Sequence, residues 1–209
     1  MRMRKLSWAE DFLKEQSVIA TDPTVYKGKW HEFLSCAELH VEIGSGKGDY
    51  WVKMSNLYPE MGWIGIERNR NVAALALRKV VDEPHAHRSF ITEDATAIHD
   101  WFAEGEIDVI HLNFSDPWPK NRYSKNRLSH TNFLTKYAKI LNKEGRIIMK
   151  TDNSKLFEFS IVEFQNNGWL LEEFYVDYRR EPHDEDAISE YENKFMSKGQ
   201  PIYRAIWKR

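Results

Sequence analysis

Leu39-His40-Val41-Glu42-Ile43-Gly44-Ser45-Gly46-Lys47-Gly48-Asp49 is the stretch that decides the fold. An apolar run of strand length stops at a glycine, and three glycines alternate with Ser45 and Lys47. Helical content follows over residues 49–57 and stops before Pro59. Strand, glycine turn and helix in that order make half of a βαβ unit. Outward from it the alternation repeats. Residues 62–66 read as a second strand ending at Glu67, and residues 71–81 as a helix that Asn69 or Asn71 can cap. A third strand is expected at residues 88–91, before Glu93-Asp94, and the clearest of all at residues 107–114. Residues 129–141 read as a helix, Glu144-Gly145 as a turn, residues 146–150 as a fifth strand and residues 154–167 as a helix ending at Gly168. Residues 169–178 and 202–207 then read as two strands with no helix between them. The expected fold class is α/β and Rossmann-like: a mostly parallel sheet, helices on both faces, and an antiparallel C-terminal edge strand.

The 209 residues suit one domain, read as a core over 36–209 behind an N-terminal extension over 1–35. With 42% hydrophobic residues the chain can bury a core. The formal net charge of −2 speaks weakly against a nucleic-acid partner, because a phosphate chain feels the local patch and not the average. Cys36 is the only cysteine, so a disulfide framework is excluded and a reducing, cytoplasmic setting is expected. No apolar run approaches the ~18 residues of a membrane span. Met1 to Lys5 is a basic start without an apolar signal core behind it. Eight histidines invite a metal search, but there is no His-Glu-x-x-His and no partner for Cys36, so no metal is expected. His85 and His87, after Pro84, read as a solvated turn. Trp and Tyr are plentiful enough to permit a homodimer interface, without assigning residues to one.

Five acids stand at five strand exits: Glu42, Glu67, Asp94, Asp116 and Asp152. In open parallel sheets ligands lie beyond these carboxyl ends. Gly44, Gly46 and Gly48 let the backbone approach such a ligand. Two familiar glycine loops fail here. A dinucleotide fingerprint needs glycine where Asp49 stands, and a P-loop needs glycine and Ser or Thr where Val41 and Gly48 stand. Asp49 would also repel a phosphate at the helix N-terminus. The ligand is therefore read as a nucleoside without phosphate at that point. Glu67, about 20 residues past the loop, suits ribose hydroxyls. Asp94 suits an adenine amino group, and Glu42 a cationic amino-acid tail. An adenosine bearing an amino acid and a positive charge is S-adenosyl-L-methionine. The fold is thus expected to be that of a class I S-adenosylmethionine-dependent methyltransferase.

Asn113-Phe-Ser-Asp116-Pro-Trp118-Pro-Lys120 turns at an acid, is stiffened by two prolines, and then becomes basic through Arg122, Lys125 and Arg127. These residues, with Gly44-Ser-Gly-Lys-Gly48, Gly65-Ile-Glu67 and the tail Ser189-Glu-Tyr-Glu192…Pro201-Ile-Tyr-Arg204, resemble the bacterial tRNA (guanine-N7-)-methyltransferase family over roughly residues 35–209. The resemblance implies methyl transfer to N7 of a guanosine in the tRNA variable loop, at tRNA position 46. It implies cofactor contacts at Glu42, Glu67, Asp94 and Asp116, with Asp116 also the catalytic candidate. It implies tRNA contacts at Lys120, Arg122, Lys125, Arg127, Asp152, Ser189, Glu190, Tyr191 and Glu192. Tyr123 stands where the family usually has His, Asn126 where Arg is common, and Ser189 in place of Thr. One fewer cation implies a weaker phosphate grip.

Guanine N7 has an in-plane lone pair and no proton, so its methylation needs no general base. The ring gains positive charge, which a nearby carboxylate such as Asp116 stabilises more in the transition state than in the ground state. Trp118 or Tyr191 can stack on a displaced base, a contact worth about 1–3 kcal/mol. Two other readings stand beside this one. One is an amino-group methyltransferase acting on adenine or cytosine, whose acid-Pro-Pro-aromatic pattern Trp118 breaks. The other is a non-catalytic RNA-binding module on the same fold.

Overall fold

A computed structural model describes residues 5–82 and 87–209. Met1 to Arg4 and His85 lie outside them. Seven strands form one sheet: β1 (Leu39–Ile43), β2 (Gly62–Ile66), β3 (Arg88–Ile91), β4 (Ile107–Asn113), β5 (Leu141–Thr151), β6 (Leu170–Tyr175) and β7 (Tyr203–Lys208). Eight α-helices are described: α1 (Ala9–Lys14), α2 (Trp30–Phe33), α3 (Asp49–Leu57), α4 (Arg70–Leu77), α5 (Ile98–Trp101), α6 (Thr131–Ile140), α7 (Ser154–Asn166) and α8 (Glu190–Met196). The strand order is β3-β2-β1-β4-β5-β7-β6. β1 to β5 pair in parallel, and β7 runs antiparallel to both β5 and β6. The antiparallel end is as the sequence implied. β7 lies one place in, so β6 forms the edge.

β1 and β2 are buried along their whole length, as unbroken apolar strands covered on both faces should be. One side of the sheet carries a core built around Trp30, Leu34, Tyr137, Phe164 and Trp207, in which the Phe164 and Trp207 rings stack 3.9 Å apart. The other carries Trp51, Trp63, Leu77 and Phe90. Each such side chain contributes about 1.5–3 kcal/mol by burial. The N-terminal residues pack onto this body. Ile19 bridges to Phe90 at the β3 edge, and the Trp30 indole N–H donates to the Trp101 carbonyl.

Three expectations change. Residues 144–145 are no turn. They sit inside β5 as a bulge, where pairing jumps from Ile107↔Leu141 to Val109↔Arg146. The helix at residues 71–81 is shorter, starting at Arg70 under an Asn69 cap and ending at Leu77. The last two strands are joined through a helix, α8, with a capping box. The Ser189 hydroxyl accepts the Glu192 N–H at 3.0 Å, and the Glu192 carboxylate faces the Ser189 N–H. The signature Ser-x-x-Glu for that cap is present in the sequence at 189–192. It lacks an apolar periodicity to announce the helix behind it.

Strand order reverses between β1 and β4. Their carboxyl ends, at Gly44 and Phe114, therefore open the crevice where this architecture binds ligands.

Candidate functional site

Two cavities meet at this crevice, of about 600 Å³ and 550 Å³, and Gly44 and Phe114 border both. Glu42, Ser45, Tyr50, Asn113, Ser189 and Tyr191 face the first. Glu67, Asp94, Asp116, Trp118 and Lys125 face the second.

Gly44, Gly46 and Gly48 all take left-handed φ, at 81°, 54° and 73°. Gly48 is also sterically fixed, since a Cβ there would lie 2.7 Å from the Ala76 Cβ. Glu67 ties this loop to the end of β2, accepting the Gly46 N–H at 3.1 Å and the Asn69 N–H at 2.8 Å. Burial raises its pKa against those two bonds. Asp94 caps the turn after β3, accepting the Thr96 N–H at 3.0 Å, and pairs with Arg68 at 2.9 Å.

Glu42 is 2% exposed. Its Oε1 accepts the Asn113 amide at 2.9 Å, while its Oε2 and the Asn113 Oδ1 are buried without a partner. Burial pushes the Glu42 carboxyl up to about 7. Glu42 and Asn113 both border the first cavity, and two buried acceptors without a partner on neighbouring strands carry a cost that a donor, a cation most of all, would relieve.

Asp116 stands exposed at the rim of the second cavity. The turn that carries it is strained, with left-handed φ at Phe114 (48°) and Trp118 (41°). Non-glycine residues there cost about 1–3 kcal/mol each and persist where the surroundings impose them. Arg127 does so. Its guanidinium donates to the Pro117 carbonyl at 2.9 Å and the Trp118 carbonyl at 3.1 Å, and lies 4.3 Å from the Phe159 ring centre. At 9% exposed it staples the turn, where the sequence reading expected an RNA contact. Lys120, Arg122 and Lys125 do face solvent. The Trp118 and Tyr123 rings lie 6.0 Å apart.

The far end of the chain divides in the same way. Ser189, Glu190 and Tyr191 face the first cavity, and the Tyr191 ring packs 5.2 Å from Phe114. Glu192 points inward, fully buried, and pairs with Lys150 at 3.2 Å and Arg179 at 2.6 Å, so it presents nothing to a ligand. Asp152 is half-buried at the exit of β5, outside both cavity linings, and burial raises its pKa. Asn113, Phe114, Tyr50 and Lys150 were not singled out from sequence. Asn113 and Lys150 had a legible signal, each being a polar residue closing an apolar strand. Among the described residues no group of three or more His, Cys, Asp and Glu is placed to hold a metal, and no helix is long and apolar enough to cross a membrane.

This sheet order with a glycine-lined crevice at β1 and β4 defines a methyltransferase of class I, the fold whose members use S-adenosylmethionine. A family model described as a putative methyltransferase matches residues 36–205. Solved structures of an antibiotic-related methyltransferase (17% identity, 87% of this chain and 94% of that one, TM-score 0.64) and of a 16S rRNA methyltransferase (10%, 87% and 92%, TM-score 0.61) share the fold. The chain belongs to the bacterial tRNA (guanine-N(7)-)-methyltransferase family. It is 43% identical to the member from Oceanobacillus iheyensis, over 98% of this chain and 97% of that one. It is 42% identical to the member from Bacillus subtilis, over 98% and 97%.

Proposed function

We propose that this protein transfers a methyl group from S-adenosyl-L-methionine to N7 of a guanosine in the variable loop of tRNA, in the cytoplasm, as one catalytic domain. The observation that carries the reading is the pair of unpartnered acceptors, Glu42 Oε2 and Asn113 Oδ1, beside a glycine loop that bars side chains. A ligand with a cationic amino-acid end and a nucleoside end satisfies both features. Glu42 and Asn113 would hold its ammonium group, the backbone at Gly44 to Gly48 its middle, Glu67 its ribose and Asp94 its adenine. The group supplies a methyl on a sulfonium centre, ready for an in-plane lone pair.

The chain's own residues then have little proton chemistry to do. Guanine N7 carries no hydrogen, so no base is required. Asp116, at the rim shared with Phe114, Trp118 and Lys125, faces the guanine as positive charge develops on it and stabilises that charge. Its carboxylate can also accept from guanine N1 and N2 and so fix the ring. Tyr191 and Trp118 flank the opening as stacking surfaces, and Lys120, Arg122 and Lys125 hold RNA phosphates. Incubating unmodified tRNA with enzyme and S-adenosylmethionine, then digesting to nucleosides for mass spectrometry, tests this. The expected product is N7-methylguanosine, cationic and alkali-labile. Methylation on an adenine or cytosine amino group would show the amino-group chemistry instead, and no methylation with no cofactor affinity would leave only an RNA-binding module.

A further inference from the structure

Beneath the first cavity lies a cluster of four buried charges that the proposed chemistry does not use. Lys150, at the carboxyl end of β5, is 0% exposed. Its ammonium donates to Asp186 at 2.7 Å and Glu192 at 3.2 Å, and lies 4.4 Å from the Tyr50 ring centre. Arg179 reaches the same two carboxylates from the other side, at 2.6 Å each. Asp186 accepts one more bond, from the Tyr50 hydroxyl at 2.8 Å. Two cations and two anions balance, so no net charge is buried. A quartet of this kind contributes little net stability against an apolar core of the same shape, and its value lies in fixing one geometry.

What it fixes is a wall of the site. Glu192 is both a member of the quartet and the closing residue of the cap on α8. Asp186 anchors the segment leading into that cap. The helix start therefore cannot shift without breaking a buried ion pair, and it carries Ser189 and Tyr191 into the cavity. The opposite side of the mouth hangs on the same strand end, because the Phe114 N–H donates to the Lys150 carbonyl at 2.8 Å. Lys150 thus sets the Phe114 and Tyr191 rings against one another, one through its backbone and one through its ammonium.

We propose that Lys150, Arg179 and Asp186 are positioning residues for methyl transfer: they hold the α8 wall, and with it the guanine, at a set distance from Asp116. The inference rests on the function proposed above. It assigns no cofactor contact to the quartet, since none of its four residues lines either cavity.

Arg179 gives the cleanest test. Arg179→Met removes one of the two cations, and Arg179→Lys keeps the charge but cannot fork to two carboxylates. Calorimetry with S-adenosylhomocysteine and steady-state methylation of unmodified tRNA are run on both variants and the wild type. The expected result is a dissociation constant for S-adenosylhomocysteine within about twofold of wild type in both. Turnover of tRNA should fall at least about tenfold in kcat/KM for Arg179→Met, and severalfold for Arg179→Lys, mainly through kcat. Should Arg179→Met fail to fold, Arg179→Lys alone decides. Wild-type turnover in the variants overturns the proposal, as does a loss of S-adenosylhomocysteine affinity equal to the loss of turnover. Absence of N7-methylguanosine from the wild-type reaction overturns the function itself, and is separately visible.

Discussion

Glu42→Gln should make the ligand-free protein more stable in mild alkali and bind cofactor worse. The wild-type carboxyl is buried, has one oxygen without a partner, and sits at about 7 where an unfolded glutamate sits near 4.5. The folded state therefore favours the protonated form. Relative stability from this group is intact below about pH 4.5 and is lost as pH rises toward 7. At about 1.4 kcal/mol per pH unit the loss reaches about 3 kcal/mol by pH 8. Glutamine removes that penalty while its amide keeps a partner in Asn113. Urea unfolding of both proteins without ligand, at pH 5 and pH 8, reads the difference. The two curves should lie close at pH 5 and separate by about 3 kcal/mol at pH 8, the variant being the more stable. Calorimetry with S-adenosylhomocysteine at pH 8 should show the reverse order, with affinity lower in the variant by at least tenfold. Parallel pH dependence in the two proteins would refute the account of Glu42, because no charge penalty would then exist for a ligand cation to relieve.

Replacing Lys120, Arg122 and Lys125 together by Gln should raise KM for tRNA and lower the slope of log affinity against log salt by about 2–3, read in a binding titration. Arg127→Ala should behave differently: an unchanged salt slope, a stability loss of about 1–3 kcal/mol from two unmet carbonyls, and slower turnover as the Asp116 turn loosens, checked by thermal unfolding and kinetics. Gly48→Ala meets both a left-handed φ and the Ala76 side chain, so it should cost about 1–3 kcal/mol in denaturant unfolding and weaken S-adenosylhomocysteine binding.

The parts legible from sequence are those that local patterning determines. β1, α3 and β3 have the bounds that their apolar runs, Gly44 and Pro59 imply, because a strand that must stop at a glycine leaves few alternatives. The placement of the acids at strand ends was legible for the same reason. Side-chain direction was not. Arg127 and Glu192 look like surface charges in the chain, yet both turn inward, toward carbonyls 9 and 10 residues away and toward cations 13 and 42 residues away. Such a choice depends on partners that only the folded sheet brings near. α8 was missed on similar grounds, since its residues are held by a cap and by buried ion pairs more than by an apolar stripe.

The role given to Asp116 is the point on which the account turns. A single-turnover reaction of Asp116→Ala with unmodified tRNA and saturating S-adenosylmethionine, followed by nucleoside mass spectrometry, tests it most directly. No detectable N7-methylguanosine is expected from a variant whose unfolding midpoint remains close to wild type. N7-methylguanosine formed at a near-normal rate would contradict it.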